Sequence, residues 1–130
     1  MNNSGIDFRK SMAYLFNDEK TYRQILCSYK DEFVTKKEEV LKLFSFGDVH
    51  SLVDCVRGLK PAASAVGADA LCSLLTDVEL AGKDCNLLLI AQSLTPLLFM
   101  LDSVCDSISR YLEFENDKYT ASYSEITYQF

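Results

Sequence analysis

Apolar residues recur every three or four positions along most of the chain, which is the spacing of one face of an α-helix. Between residues 52 and 66 the steps are four, three, four and three, and this places five apolar side chains within about 40° of a common line on the helix surface. These five residues are Leu52, Val56, Leu59, Ala63 and Val66. The pattern predicts a helix that packs along one side and presents Arg57 and Ser64 on the other.

Three further apolar stripes predict three more long helices, over residues 19–46, 68–82 and 85–112. Glycines are typical of helix ends, and Asp18 and Asp48 are suitable N-caps. Four helices with short connections predict an all-α, antiparallel up-down four-helix bundle. The apolar positions expected in its core, besides the five above, are Tyr22, Leu26, Tyr29, Phe33, Val40, Phe44, Leu71, Leu74, Leu75, Val78, Leu87, Ile90, Leu94, Leu97, Leu101, Val104, Ile108 and Leu112.

The two ends of the chain have a different pattern. Asp7 can cap a short extra N-terminal helix, because helically spaced apolar residues follow it. The residues from Glu113 onward are polar, rich in tyrosine and partly alternating. They predict an extended arm on the bundle, a flexible tail or a segment that pairs with another chain. We therefore divide the chain into a bundle, 1–112, and a C-terminal tail, 113–130.

Two prolines fall inside predicted helices. Pro61 removes a backbone hydrogen bond and crowds the carbonyl of Arg57, four residues earlier. A kink or a loosened turn is expected there, and a kink is expected at Pro96.

Composition narrows the class of protein. The chain has 130 residues, of which 48% are hydrophobic, enough for one globular domain. Its net charge of −6 argues against nonspecific binding to nucleic acid. Five cysteines occur without a Cys-x-x-Cys pair, which is typical of small buried residues in a reducing cytosol.

No segment predicts export or membrane insertion. The first residues are polar and do not resemble a signal peptide. The most apolar run, from Leu87 to Leu101, is interrupted by Gln92 and Pro96 and is too short to span a bilayer. We expect a cytoplasmic protein.

Residues 52–79 also contain a motif, formed by Leu59, Lys60, Ala63, Val66, Gly67, Ala68, Leu71 and Glu79. This stretch resembles the histidine-containing phosphotransfer (HPt) domain of bacterial multistep phosphorelays. The pattern of that family is His-x-Leu-Lys-Gly-x-Ala-x-x-hydrophobic-Gly-Ala-x-x-Leu, with an acidic residue near the end of the following helix, and the eight residues are in register with it.

The resemblance fails at the residue that carries the phosphate in the family. Arg57 stands where the family has its phosphorylated histidine, and Pro61 replaces the glycine after the lysine. An HPt histidine attacks an aspartyl phosphate through a neutral ring nitrogen, whereas a guanidinium stays protonated and has no lone pair to offer. The resemblance therefore implies the fold and the partner, and Arg57 argues against the reaction.

The candidate partner-binding residues lie on one helix: Arg57, Lys60, Ser64, Asp54 and His50. On the functional interpretation, Arg57 and Lys60 form a cationic patch for the acidic pocket of a receiver domain. On the alternative interpretation, both are solvated cations and Arg57 pairs with Asp54, one turn back.

His50 is the single histidine, two turns before Arg57 and on nearly the same face. It is either a displaced phosphoacceptor or a solvated surface residue, and Val53 rather than a lysine follows it at the family spacing.

No other catalytic pattern is present. The sequence has no glycine-rich phosphate loop, no metal-spaced ligand set and no nucleophile with a base beside it, so we predict no enzyme activity, cofactor or metal. The predicted function is an HPt-like phosphorelay protein that docks on a receiver domain or histidine kinase without carrying phosphate. The alternatives are a structural or oligomerisation bundle, and an active phosphotransfer protein that uses His50.

Overall fold

The structure, a computed structural model, describes residues 6–8 and 18–128, with side chains as far as Glu113. Its helices are α1, Glu19–Phe46; α2, Val49–Ala65; α3, Asp69–Lys83; and α4, Leu87–Tyr128. The described residues contain no strand. Each helix packs on the next along the chain, and α4 also packs on α1. This circuit of contacts is that of a four-helix bundle, and the all-α prediction is confirmed.

The helix ends follow local chemistry. The side chain of Asp18 accepts a hydrogen bond from the backbone N–H of Lys20 at 3.2 Å, and Asp48 accepts one from Ser51 at 3.2 Å. Both aspartates therefore satisfy backbone donors that a helix N-terminus leaves without a partner, as predicted. Gly47 and Gly67 follow α1 and α2 with φ of 71° and 74°, a left-handed conformation that glycine adopts without strain.

The predicted core is largely confirmed. All five residues of the α2 stripe are buried, and so are Tyr22, Phe33 and most of the predicted α3 and α4 positions. Leu87 is the exception, because 53% of it is exposed at the first turn of α4. The predicted residues that are only partly buried against the core are Tyr29, Phe44, Leu74 and Leu112.

α3 ends at Lys83, one residue beyond the predicted end at Gly82. Gly82 is buried and faces the side chain of Val53 on α2. A Cβ atom at this position would be 2.2 Å from Val53 Cγ2. Gly82 is therefore the residue that lets α2 and α3 approach closely at this point.

The short helix predicted after Asp7 lies outside the described residues except at its start. Ile6 is buried in the core. The ring of Phe8 stacks on that of Tyr111 in α4, with 4.6 Å between the ring centroids. Phe8 thus packs on α4.

The last helix is longer than predicted. Helical backbone continues through residues 113–128, where the sequence pattern indicated an extended arm or a flexible tail. The physical reason is that neither glycine nor proline follows Pro96, so no residue in this segment breaks a helix. Pro61 and Pro96 themselves are exposed, and the helix continues on both sides of each.

The cysteine prediction is confirmed in part. All five cysteines are free thiols. Cys55 is buried, and Cys72 and Cys105 are half-buried, but Cys27 and Cys85 are exposed, so the prediction of burial is wrong for these two. Burial raises the pKa of Cys55, Cys72 and Cys105, which favours their protonated form.

One helical segment among the described residues, Leu87–Glu113, is long and apolar enough to cross a membrane on length and composition. Its mean hydropathy is 1.7, and 28% of the apolar window is buried. The core helix of a bundle passes the same test, and α4 buries a regular stripe from Ile90 to Ile108 against the other helices. This apolar segment is thus longer than the run from Leu87 to Leu101 identified in the sequence.

Candidate functional site

The outer face of α2 carries most of the predicted partner-binding residues. His50, Asp54, Arg57 and Ser64 are all exposed, because steps of four, three and seven residues keep them on one side of a helix whose other side is buried. Lys60 lies on the flank of this face, and its side chain is 32% exposed. The helix therefore presents the five residues on one side, and their role in binding a partner stays a prediction.

A carboxylate from the next helix lies between the two cations. Arg57 Nε donates to Glu79 Oε1 at 3.3 Å, and Lys60 Nζ donates to Glu79 Oε2. The Glu79 side chain is only 12% exposed, compared with 54% for Arg57. The sequence identified Glu79 only as the acidic residue in register with the motif, and its direct contact with both cations is a feature of the tertiary structure.

The charge environment keeps Glu79 ionised. The hydrogen bond from Lys60 lowers its pKa below the ordinary value, and the charge of Lys60 and the contact with Arg57 act in the same direction. Burial opposes them but does not reverse the shift. A carboxyl group with a lowered pKa is a poor general acid near neutral pH.

Asp54 adds a second carboxylate to the group. Arg57 Nη1 lies 3.8 Å from Asp54 Oδ1, so the predicted pairing of these residues is present as a loose, exposed ion pair. Exposed pairs of this kind contribute about 0–1 kcal/mol. We call Asp54, Arg57, Lys60 and Glu79 the α2–α3 charge cluster. Its two cations and two carboxylates give it no net charge, so it differs from the simple cationic patch of the functional interpretation.

His50 stands at the edge of this cluster. Its side chain is 91% exposed, and its Nε2 lies 3.7 Å from Asp54 Oδ2. This placement matches the interpretation of His50 as a solvated surface histidine, and phosphate transfer through it stays a prediction.

The surface of α2 beside the cluster is formed by small side chains, so it lies close to the helix backbone. Gly58 is exposed, and a Cβ built on it would meet no atom within 4 Å. Pro61 and Ser64 extend this surface of small side chains along α2. A partner can therefore approach the α2 backbone closely beside Arg57.

Elsewhere, the described side chains suggest little other chemistry. No group of three or more His, Cys, Asp or Glu residues in that part of the chain is arranged to hold a metal ion. A groove of about 280 Å³ lies between α1 and α4, and its lining includes Lys37 and Asp102, whose charged atoms lie 2.7 Å apart. The residues that line the groove are Phe33, Val34, Lys37, Glu38, Leu41, Leu101, Asp102 and Cys105.

Comparison with known proteins identifies no relative: no family model, no curated protein and no solved structure matches this chain.

Proposed function

We propose that this protein is an HPt-like, bacterial, cytoplasmic phosphorelay component that lacks the phosphoacceptor and acts by docking on a receiver domain or histidine kinase. The proposal rests on the placement of Arg57 on the outer face of α2 and of Lys60 on its flank. The sequence resemblance aligns these two residues with the HPt histidine and lysine. Acidic side chains surround the phosphorylated aspartate of a receiver domain, and the half-exposed guanidinium of Arg57, which lies beside small side chains, can complement such a pocket.

An antiparallel up-down arrangement of the HPt type forms part of the proposal. Val53, near the start of α2, faces Gly82 near the end of α3. Tyr22, near the start of α1, has its ring 6.0 Å from that of Tyr111, far along α4. Both contacts support helices that run in opposite directions.

The proposed mechanism is binding without phosphate transfer. Arg57 has N–H donors and no lone pair, so it can bind a phosphoryl group or a carboxylate but cannot form a phosphoryl–nitrogen bond as a histidine does. A protein that occupies the receiver surface in this way blocks access by active phosphotransfer partners.

The test is an NMR titration of the ¹⁵N-labelled protein with receiver domains, each free and in a phosphorylated-like state. We expect shifts clustered at Arg57, Lys60 and Ser64. We also expect the double variant Arg57→Glu/Lys60→Glu to lose receiver binding, because the charges that complement the pocket are reversed. The neutral variant Arg57→Gln/Lys60→Gln should show a smaller loss.

The matched control is Lys42→Glu/Arg110→Glu, which changes the net charge equally at exposed positions on α1 and α4. Its receiver affinity should stay close to that of the wild type. Equal binding by the Arg57/Lys60 variants and the wild type, with the fold verified by circular dichroism, would exclude docking through this face.

A structural or oligomerisation bundle is the second candidate, and exposed apolar side chains on α4 favour it. Leu88 is 69% exposed and Phe99 is 72% exposed. Analytical ultracentrifugation tests this candidate directly. A concentration-dependent dimer that Leu88→Ser/Phe99→Ser dissociates would support it, and a monomer throughout the concentration series would argue against it.

A further inference from the structure

We infer that Glu79 is a built-in competitor for the anion that binds Arg57 and Lys60, so that a partner must displace its carboxylate to dock. The inference rests on the docking role proposed above. It goes beyond that role because it assigns a regulatory contact to a residue on a different helix.

The geometry gives Glu79 the contacts that an acidic ligand would make. Each of its carboxylate oxygens accepts a hydrogen bond from one of the two cations. The carboxylate comes from α3 and is largely covered, whereas Arg57 is more than half exposed. Glu79 therefore holds the cations from beneath while their outer surface stays in contact with solvent.

The terminal N–H groups of Arg57, which do not bind Glu79, indicate which ligand can displace the Glu79 carboxylate. Glu79 takes the Nε–H of Arg57, and the 3.8 Å separation between Arg57 Nη1 and Asp54 is too long for a hydrogen bond. The terminal nitrogens of Arg57 can thus donate to an incoming group. A dianion, such as a phosphoryl group or two adjacent carboxylates, offers more negative charge than Glu79 and can replace it. A monoanion offers no such advantage.

The experiment uses inorganic phosphate as the dianion and acetate as the monoanion, at constant ionic strength. Binding is followed by the NMR signal of the Arg57 Nε–H group in the wild-type protein and in Glu79→Gln. We expect phosphate to bind Glu79→Gln roughly two- to fivefold more tightly than the wild type, the change that corresponds to one exposed ion pair. Acetate should bind the wild type weakly and gain affinity in the same variant.

The control is Asp106→Asn, which removes an equal charge from the exposed Asp106–Arg110 pair on α4, where the two charged atoms lie 3.0 Å apart. It should leave phosphate binding at Arg57 unchanged. Phosphate affinity in Glu79→Gln that is equal to or weaker than that of the wild type would overturn the inference. Should Glu79→Gln fail to fold, Glu79→Asp keeps the charge but shortens its reach, and it should give a smaller gain.

Receiver titrations with the same variants separate this inference from the docking proposal. Tighter phosphate binding by Glu79→Gln without binding of any receiver would support competition by Glu79 and would contradict the docking proposal. Receiver binding through Arg57 and Lys60 that Glu79→Gln does not alter, together with unchanged phosphate affinity, would support docking and overturn the competitor.

Discussion

At the scale of single residues, the identity of residue 57 decides how Glu79 is used. An arginine is always charged and donates from fixed directions, so it can share the largely covered carboxylate of Glu79 with Lys60. A neutral histidine at the same position would offer at most one donor and no full charge. Arginine at position 57 therefore gives Glu79 a second cationic partner, which a neutral histidine would not.

The pairing of Glu79 predicts a pH dependence of stability. Its pKa in the folded protein lies below the ordinary value of 4.5, so the unfolded chain takes up the proton first as the pH falls. The stabilisation is thus complete above pH 4.5 and is lost as the pH falls through the lowered pKa of the folded state.

We expect the stability of the wild type to fall more steeply than that of Glu79→Gln in this range. Urea unfolding measured between about pH 7 and about pH 3 tests this expectation. Asp106→Asn serves as the comparison for a general loss of one carboxylate. Parallel pH profiles for the wild type and Glu79→Gln would show that the ion pairs of Glu79 do not stabilise the fold.

At the scale of helices, two glycines in similar positions have opposite roles. Gly58 lies on the exposed side of α2 with open space around it, while Gly82 lies on the buried side of α3 against Val53. Glycine within a helix costs about 1 kcal/mol relative to alanine because it loses more backbone freedom on folding. At Gly58 no packing contact offsets this cost, whereas at Gly82 the absence of a side chain lets α2 and α3 approach closely.

We therefore expect alanine to have opposite effects at the two positions. Gly58→Ala should stabilise the protein by about 0.5–1 kcal/mol. Gly82→Ala should destabilise it by about 1–3 kcal/mol, because its Cβ would overlap the Val53 side chain. Thermal or urea unfolding measures both.

The double variant Val53→Ala/Gly82→Ala identifies the cause of the Gly82 effect. Truncation of Val53 removes the overlap, so the two substitutions should cost less together than the sum of their separate effects. Additive costs would show that overlap with the Val53 side chain is not the reason why alanine at position 82 destabilises the protein.

At the scale of the whole molecule, the role of α4 determines how the bundle is held together. One face of the helix contributes Ile90, Leu94, Leu97 and Leu101 to the core, while the opposite face exposes Leu88 and Phe99. Burial on one side only is the pattern of a helix that packs against a core. The same segment is apolar enough on average to span a bilayer, so burial, rather than hydropathy, must decide between these roles.

A pair of substitutions tests the role of α4 in the core. Leu97 is 0% exposed and Phe99 is 72% exposed, although they are two residues apart. Leu97→Ala should cost about 2–5 kcal/mol in the free energy of unfolding, because it leaves a cavity. Phe99→Ala should change it by no more than about 0.5 kcal/mol. Equal effects of the two substitutions on urea unfolding would contradict the packing of α4 described above.

The sequence by itself determined the helices and most of the core. Helical spacing is a local property, so it identified the buried stripe of α2, and local hydrogen bonding identified the caps at Asp18 and Asp48. Of the alternatives predicted for the tail, the extended arm was wrong for residues 113–128, because the backbone there is helical and neither glycine nor proline interrupts it.

The tertiary structure alone decided what the exposed residues contact. Lys60 and Glu79 are 19 positions apart, and the register of α2 on α3 brings their side chains together. The same register places Gly82, one residue before the end of α3, against Val53, a contact that the sequence pattern did not predict. Periodicity fixes which side of a helix is buried, but it does not specify how far one helix slides along another. The sequence therefore located Arg57 and Lys60 on a surface, and only the packing of α3 showed that Glu79 already binds both.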